Sequence, residues 1–256
     1  MSSILQVEGG HPLRGEITVR GAKNFVPKAM VASLLADTPS ELYNVPLIRD
    51  TDVVSDLLSL HGVQIDFDQD RGTLRMDPSN VKIASRSDID TLAGASRIPI
   101  LFCGPLLHQL GEAFIPELGG CAIGGRPIDF HLDTLRQFGA IIDKQPDGVH
   151  IKRPSTGLHG AIIELPFPSV GATEQTLLTA VRNEGITTLK GAAIEPEILD
   201  LINVLQKMGA IISVDTDRTI RIEGVDKLTG YRHTALPDRI EAASWASAAL
   251  ATHGDI

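Results

Sequence analysis

The chain has 256 residues, 43% of them apolar and 21% charged, which excludes a disordered or fibrous class and leaves room for one large or two small domains. A net charge of −9 argues against a nucleic-acid binder that works through a broad basic surface, and seven Phe, two Tyr and one Trp are too few for a base-stacking platform. Two cysteines, Cys103 and Cys121, cannot build a disulfide framework, so a reducing compartment is the expectation. Residues 1–8 lack the basic start and apolar core of a signal peptide, and the longest apolar run, 98–107, is broken by Pro99, Gly104 and Pro105. A soluble, cytoplasmic protein without membrane or nucleic-acid partners is expected.

The first predicted strand, residues 16–20, leads into Gly21-Ala22-Lys23-Asn24 at the start of a small-residue helix. Backbone N–H groups and the helix dipole favour an anion there, and Lys23 and Asn24 add a charge and a hydrogen-bonding amide. On spacing alone an ordinary strand-to-helix turn with a solvated lysine is favoured. An amphipathic helix carrying Val53, Val54, Leu57 and Leu58 follows and stops at Gly62, with a two-stranded hairpin behind it. Gly94-Ala95-Ser96-Arg97 then opens a second small-residue helix, in which Cys103 is expected to be core.

Residues 118–127 place four glycines around Cys121. Such a segment is expected to be a mobile loop that exposes the thiol, with Arg126 able to lower its pKa and to bind an anion. A functional thiol is favoured there over an inert cysteine in a glycine turn. Pro127-Ile128-Asp129-Phe130-His131 opens the second amphipathic helix, with Asp129 as its expected cap and His131 as a structural residue. That helix carries Leu132, Leu135 and Phe138, stops at Gly139, and leads into a hairpin turning at Gln145-Pro146-Asp147-Gly148. Ser169-Val170-Gly171 is expected to end a strand and offer backbone groups to a ligand, before a third small-residue helix. Glu195-Pro196-Glu197 reads as the acidic first turn of a third amphipathic helix, which carries Ile198, Leu201, Ile202, Leu205 and Met208 and stops at Gly209. Last, 236–241 leads into another small-residue helix, and 252–256 into a turn and one strand residue.

The elements repeat. Gly62, Gly139 and Gly209 are 77 and 70 residues apart, and Gly21, Gly94 and Gly171 are 73 and 77 apart. The predicted fold class is therefore mixed α/β, with three complete repeat units and the start of a fourth. One unit cannot bury its own apolar faces, but three packed together can. No metal-ligand spacing, P-loop or GxGxxG is present, so neither metal nor cofactor is expected. The residues alone support an anion-handling site with one reactive thiol at helix starts, and no particular substrate.

Gly21-Ala22-Lys23-Asn24, the 119–129 loop, 169–173, 195–197 and 236–241 occur together and in order, and with them the chain resembles the UDP-N-acetylglucosamine 1-carboxyvinyltransferases across essentially its whole length. The cysteine loop is the most specific element, since the sister family that makes 5-enolpyruvylshikimate 3-phosphate shares the repeats without it. The resemblance implies an inside-out α/β barrel of βαβαββ units in two domains with the active site between them. Residues 22–235 would form the complete domain, while 1–21 and 236–256 would belong to the other. It implies enolpyruvyl transfer from phosphoenolpyruvate to the 3′-hydroxyl of UDP-N-acetylglucosamine, which opens peptidoglycan synthesis. Cys121 would be the proton donor, a possible adduct with phosphoenolpyruvate, and the target of fosfomycin. Lys23, Asn24 and Arg126 would contact phosphoenolpyruvate; Arg97, Arg126, Pro127, Ile128, Asp129, Phe130, Ser169, Val170 and Gly171 would contact the UDP-sugar. Two departures stand out. Phe167 precedes Ser169 by two positions, where many relatives carry a lysine, and the family's general-base aspartate and further arginines fall beyond residue 256. The chain is thus expected to be a partial form, completed by a second-domain segment. The alternatives are a shikimate-type synthase and a non-catalytic domain that binds a sugar nucleotide or a partner.

Overall fold

A computed structural model describes residues 4–93, 97–116 and 128–256 of the chain. Helix α1 (Val26–Ala32) enters the core directly and continues as a 3₁₀ turn; β1 (Ser40–Tyr43), α2 (Arg49–Leu60) and the hairpin β2 (Gln64–Asp68) and β3 (Thr73–Asp77) follow. The next stretch holds α3 (Arg86–Ala93), a 3₁₀ turn, α4 (Cys103–Gln109), β4 (Glu112–Ile115), α5 (Asp129–Gln137), β5 (Ile141–Gln145) and β6 (Gly148–Lys152). The third holds β7 (Ile162–Glu164), α6 (Val170–Ala180), β8 (Ile186–Lys190), α7 (Pro196–Lys207), β9 (Ile211–Val214) and β10 (Ile220–Glu223). Strand β11 (Arg232–Thr234) and helix α8 (Arg239–Thr252) complete the described chain.

The stops of α2, α5 and α7 are the same structure made three times. Gly62, Gly139 and Gly209 have φ of 85°, 93° and 109°. Each donates its N–H to the carbonyl three residues back (Ser59, Arg136, Gln206), and the next residue donates to the carbonyl five back (Leu58, Leu135, Leu205). This is the paired hydrogen bonding of a Schellman end, in which a left-handed residue satisfies carbonyls the helix cannot. Immediately behind each cap the chain turns into β2, β5 or β9, so the glycine fixes where the sheet begins.

Two sheets share one order, β11-β1-β3-β2 and β7-β8-β10-β9, and in each a leading strand pairs parallel with the next (β11 with β1, β7 with β8) while the other pairings are antiparallel. Among the described residues the remaining sheet, β4-β6-β5, has no leading strand. The N–H groups of Thr229 and His159 reach back to the cap carbonyls of Met208 and Phe138, three residues before β11 and β7 begin. Lys82 makes the equivalent bond to His61, but the chain then coils into α3. The second unit therefore departs from the expected complete repeat. Ser85, Arg86, Ser87 and Asp88 favour a helix start over a strand, and the Ser85 hydroxyl accepts the Asp88 N–H at 3.3 Å.

Strand residues alternate between buried and exposed, so each sheet lays one face on the helices and turns the other to solvent. All of α1, and α6 from Ala172 to Ala180, is buried. Helix α4 meets α6 at Gly104, where a Cβ would stand 2.3 Å from Thr179 Oγ1; only glycine permits that approach. Cys103 lies in this core, as expected, and burial raises its thiol pKa.

Outside the core, the expected strand at 16–20 does not form. Residues 4–20 enter no sheet: Arg14 bridges to Asp255 and, just beyond, Gly21 bridges to Pro237, and single hydrogen bonds join Leu13 to Thr252 and Arg20 to Glu241. A lone strand without a sheet to join is not stable in water. The two places where the chain crosses into the core are clasped together: Gly21 N–H donates to the Asn44 carbonyl, the Asn44 side-chain amide donates to Ala235, and Ala22 N–H donates to Leu236. Helix α8 has no buried residue and exposes Ile240, Trp245 and Leu250.

Candidate functional site

The Gly21-Ala22-Lys23-Asn24 turn is held from several sides. Asp238, the N-cap of α8, accepts the Lys23 N–H at 2.9 Å through Oδ2, while its Oδ1 accepts the N–H groups of Ile240 and Glu241. The Lys23 ammonium lies 3.1 Å from Asp50 in the first turn of α2, with the lysine side chain 63% exposed. The solvated lysine of the simpler sequence reading is thus a surface ion pair whose cation remains open to solvent. One turn on, Lys28 is buried. Its ammonium donates to the Asn24 carbonyl at 2.8 Å and sits 3.4 Å from Glu174 Oε1 of α6. Burial raises the Glu174 pKa; Lys28 opposes that shift, and Glu195 and Glu197 reinforce it. Glu197, itself buried, is held by Arg239 through two bonds of 2.9 and 3.3 Å.

A second group forms where α5 and α6 begin. Ser169 is not the end of a strand: it is the N-cap of α6, and its hydroxyl accepts the Ala172 N–H at 3.3 Å. Asp129 is not a cap either. Ile128 holds the cap position of α5 with no side-chain bond, and Asp129 is the acidic residue of the first turn. His131 has a partner the sequence did not suggest, Gln175 Oε1 at 3.4 Å. Burial drives its pKa down to about 4, and the charge of Arg97 pushes the same way, so Arg97 stands within electrostatic reach of this group. Gly171 packs on the His131 ring, where a Cβ would come within 2.7 Å of Nε2. Phe130 meets Phe167 edge to face at 5.2 Å. Phe167 thus sets an aromatic wall beside Ser169.

The structure therefore collects Ile128, Asp129, Phe130, Ser169, Val170, Gly171 and the field of Arg97 in one group, and Lys23 and Asn24 in another. The Lys28–Glu174 pair joins the two. Gly94, Ala95, Ser96, Cys121, Arg126 and Pro127 lie outside the described residues. Asp50, Lys28, Glu174 and Gln175 were missed by sequence reasoning, and Asp238, within the 236–241 phrase, was given no role. For Lys28 and Glu174 the available signal was a single charged residue inside an otherwise uncharged helix, VPKAMVA and VGATEQTLLTA. A cavity of about 340 Å³ lies elsewhere, between the start of α3 and the β4-β6-β5 sheet, lined among others by His61, Ile89, Phe114 and His150. None of the expected site residues that are described borders it. Among the described residues no group of three or more His, Cys, Asp or Glu is arranged to hold a metal, and no helix is long and apolar enough to cross a membrane.

A helix-filled α/β fold with repeated sheets and clustered helix starts defines the class. Residues 7–256 match the EPSP synthase (3-phosphoshikimate 1-carboxyvinyltransferase) family, and the chain belongs to that family. Within it, a UDP-N-acetylglucosamine 1-carboxyvinyltransferase from Protochlamydia amoebophila (strain UWE25) is 44% identical over 257 residues, 99% of this chain and 55% of the relative. One of the same name from Acidiphilium cryptum (strain JF-5) is 46% identical over 253 residues, 98% of this chain and 59% of the relative. The chain thus spans somewhat more than half the length of these relatives. The enolpyruvyl transferase NikO from Streptomyces tendae shares the fold with a TM-score of 0.82 at 24% identity, over 93% of this chain and 55% of that one. EPSP synthase from Acinetobacter baumannii does so with a TM-score of 0.70 at 19% identity, over 92% and 52%.

Proposed function

We propose that this chain carries one domain, and part of a second, of a cytoplasmic enolpyruvyl transferase that moves the enolpyruvyl group of phosphoenolpyruvate to the 3′-hydroxyl of UDP-N-acetylglucosamine, the first committed step of peptidoglycan synthesis. The observation that carries the reading is the 44–46% identity to relatives of that name over 98–99% of the chain. The cysteine loop at 119–129 favours it over a shikimate-type synthase. Residues 22–235 are proposed to form an inside-out α/β barrel of three units, with 1–21 and 236–256 belonging to a second domain. The exposed apolar residues Ile4, Leu5 and Val7 at one end and Trp245 and Leu250 at the other support this, since they lie on segments that bury little within the present fold.

The 3′-hydroxyl oxygen adds to C2 of phosphoenolpyruvate, its proton passing to a base, while C3 takes a proton from an acid, giving a tetrahedral intermediate. Loss of phosphate and of a C3 proton then restores the double bond. Cys121 is proposed as the acid at C3, Lys23, Asn24 and Arg126 as phosphoenolpyruvate contacts, and Arg97, Arg126, Pro127, Ile128, Asp129, Phe130, Ser169, Val170 and Gly171 as UDP-sugar contacts. Both substrates are anions and the protein is acidic overall, so their charge must be met by local cations. Lys23 suits this role because its ammonium is exposed despite the Asp50 contact.

The test compares this chain with a fusion to the remaining portion of the Protochlamydia amoebophila relative, following phosphate release from phosphoenolpyruvate and UDP-N-acetylglucosamine. The fusion turns over, the chain alone is slower by at least about 100-fold, the usual cost of losing even one preorganised electrostatic partner, and Cys121→Ala in the fusion abolishes turnover. Fosfomycin labels Cys121 and spares buried Cys103 in the folded protein. An inactive fusion, or labelling of Cys103 first, sinks the reading.

A further inference from the structure

We infer that the buried Lys28–Glu174 pair is a positioning device that fixes the Lys23-Asn24 turn against the start of α6. The local backbone explains why a side chain is needed. Helix α1 begins at Val26 with Pro27 in its first turn, and Pro27 has no N–H to return to Lys23. The Lys28 N–H goes to Phe25 at 2.9 Å rather than to Asn24. The Asn24 carbonyl is taken instead by the Lys28 ammonium at 2.8 Å. The same ammonium is 3.4 Å from the Glu174 carboxylate, one turn inside the helix that Ser169 caps. One cation thus ties the backbone of the first site group to the helix that carries the second.

Stability does not account for the pair. Lys28 is 8% and Glu174 4% exposed, and taking both charges out of water costs about what their attraction returns. An apolar pair of similar volume would pack at least as well. What such a pair cannot do is hold a carbonyl four residues upstream at a fixed distance from a neighbouring helix. The catalytic consequence rests on the function proposed above, in which Asn24 and Ser169 serve the two substrates; the positioning itself does not.

The test uses two variants. Lys28→Met alone strands a buried carboxylate and lowers stability, as any loss of one partner would. Lys28→Met combined with Glu174→Leu removes both charges and is expected to unfold at the same or higher urea concentration than the parent chain. In that double variant, amide exchange at Lys23 and Phe25, and at Ala172 and Thr173, accelerates by about tenfold or more, while amides of β8 and β10 keep their native rates. In the fusion with the relative's remaining portion, the double variant loses about tenfold or more in kcat, beyond any change in KM. Native exchange at both segments in a stable double variant overturns the positioning, and native kcat in the active fusion overturns its catalytic consequence. If the unaltered fusion is itself inactive, the functional reading fails, and exchange in the chain alone still decides the positioning.

Discussion

Single buried side chains set much of this protein's response to its surroundings. Burial holds His108 and His131 down to about 4 from an ordinary 6.5, against the hydrogen bonds to Thr179 and Gln175 that favour the charged rings. Both rings are therefore neutral in the folded state across a range where the unfolded chain takes up protons. Their contribution to stability is complete above about pH 6.5 and falls away as the pH drops toward 4, because there the unfolded state binds more protons. Each can steepen the decline by up to about 1.4 kcal/mol per pH unit. Urea midpoints measured from pH 7 to pH 4 should fall through this window, and His108→Gln, which can still donate toward Thr179, should lessen the slope. An unchanged slope would mean that His108 titrates normally in the fold.

At the level of elements, the three helix ends allow a graded comparison. Gly62, Gly139 and Gly209 share left-handed backbones but not surroundings. A Cβ at Gly209 meets nothing within 4 Å, whereas at Gly62 it would stand 2.2 Å from the Asn80 carbonyl oxygen. Gly209→Ala should cost about 1–2 kcal/mol, the penalty of the left-handed conformation alone, and Gly62→Ala clearly more. Equal unfolding midpoints for the two variants would show that the close approach at Asn80 relaxes freely. These caps were legible in the sequence because a glycine after an apolar 3.6-residue pattern has one structural use, and with them came the hairpins and the repeat. The helix that stands where the second unit was expected to have its leading strand was not legible, since nothing in the glycine register distinguishes such a strand from the helix that Ser85 to Asp88 prefer. Site residues divide the same way. Lys23, Phe130 and Ser169 stand in local phrases, whereas Lys28 and Glu174 owe their meaning to two helices that meet only after folding, with 145 residues between them in the chain. Ser169 and Asp129 were placed correctly near helix starts and assigned the wrong neighbouring position, because the ends of strands and helices are set by tertiary partners.

Over the whole molecule, polar clasps at 20–22 and 235–238 mark where the chain passes between the packed body and its uncovered segments. Helix α8 begins at such a clasp and then runs its length without burying a residue. Trp245, the single tryptophan, is 36% exposed there. If this helix belongs to a second domain, joining the chain to the relative's remaining portion should move Trp245 emission to shorter wavelength and protect it from acrylamide. Unchanged emission in an active fusion would place the apolar face of α8 against something other than that portion.

The parallel pairing of β11 with β1 has a consequence for how the chain is made. Glu41 pairs with Arg232, so the first sheet gains its outermost strand only after 191 further residues have followed. While the ribosome is still extending the chain, β1 presents an open edge of unpaired amides and carbonyls that no earlier segment covers. Vectorial synthesis therefore cannot lock this sheet as soon as its first strands emerge; closure waits for a contact of very high sequence separation, the kind that slows folding and lengthens exposure to chaperones and to aggregation.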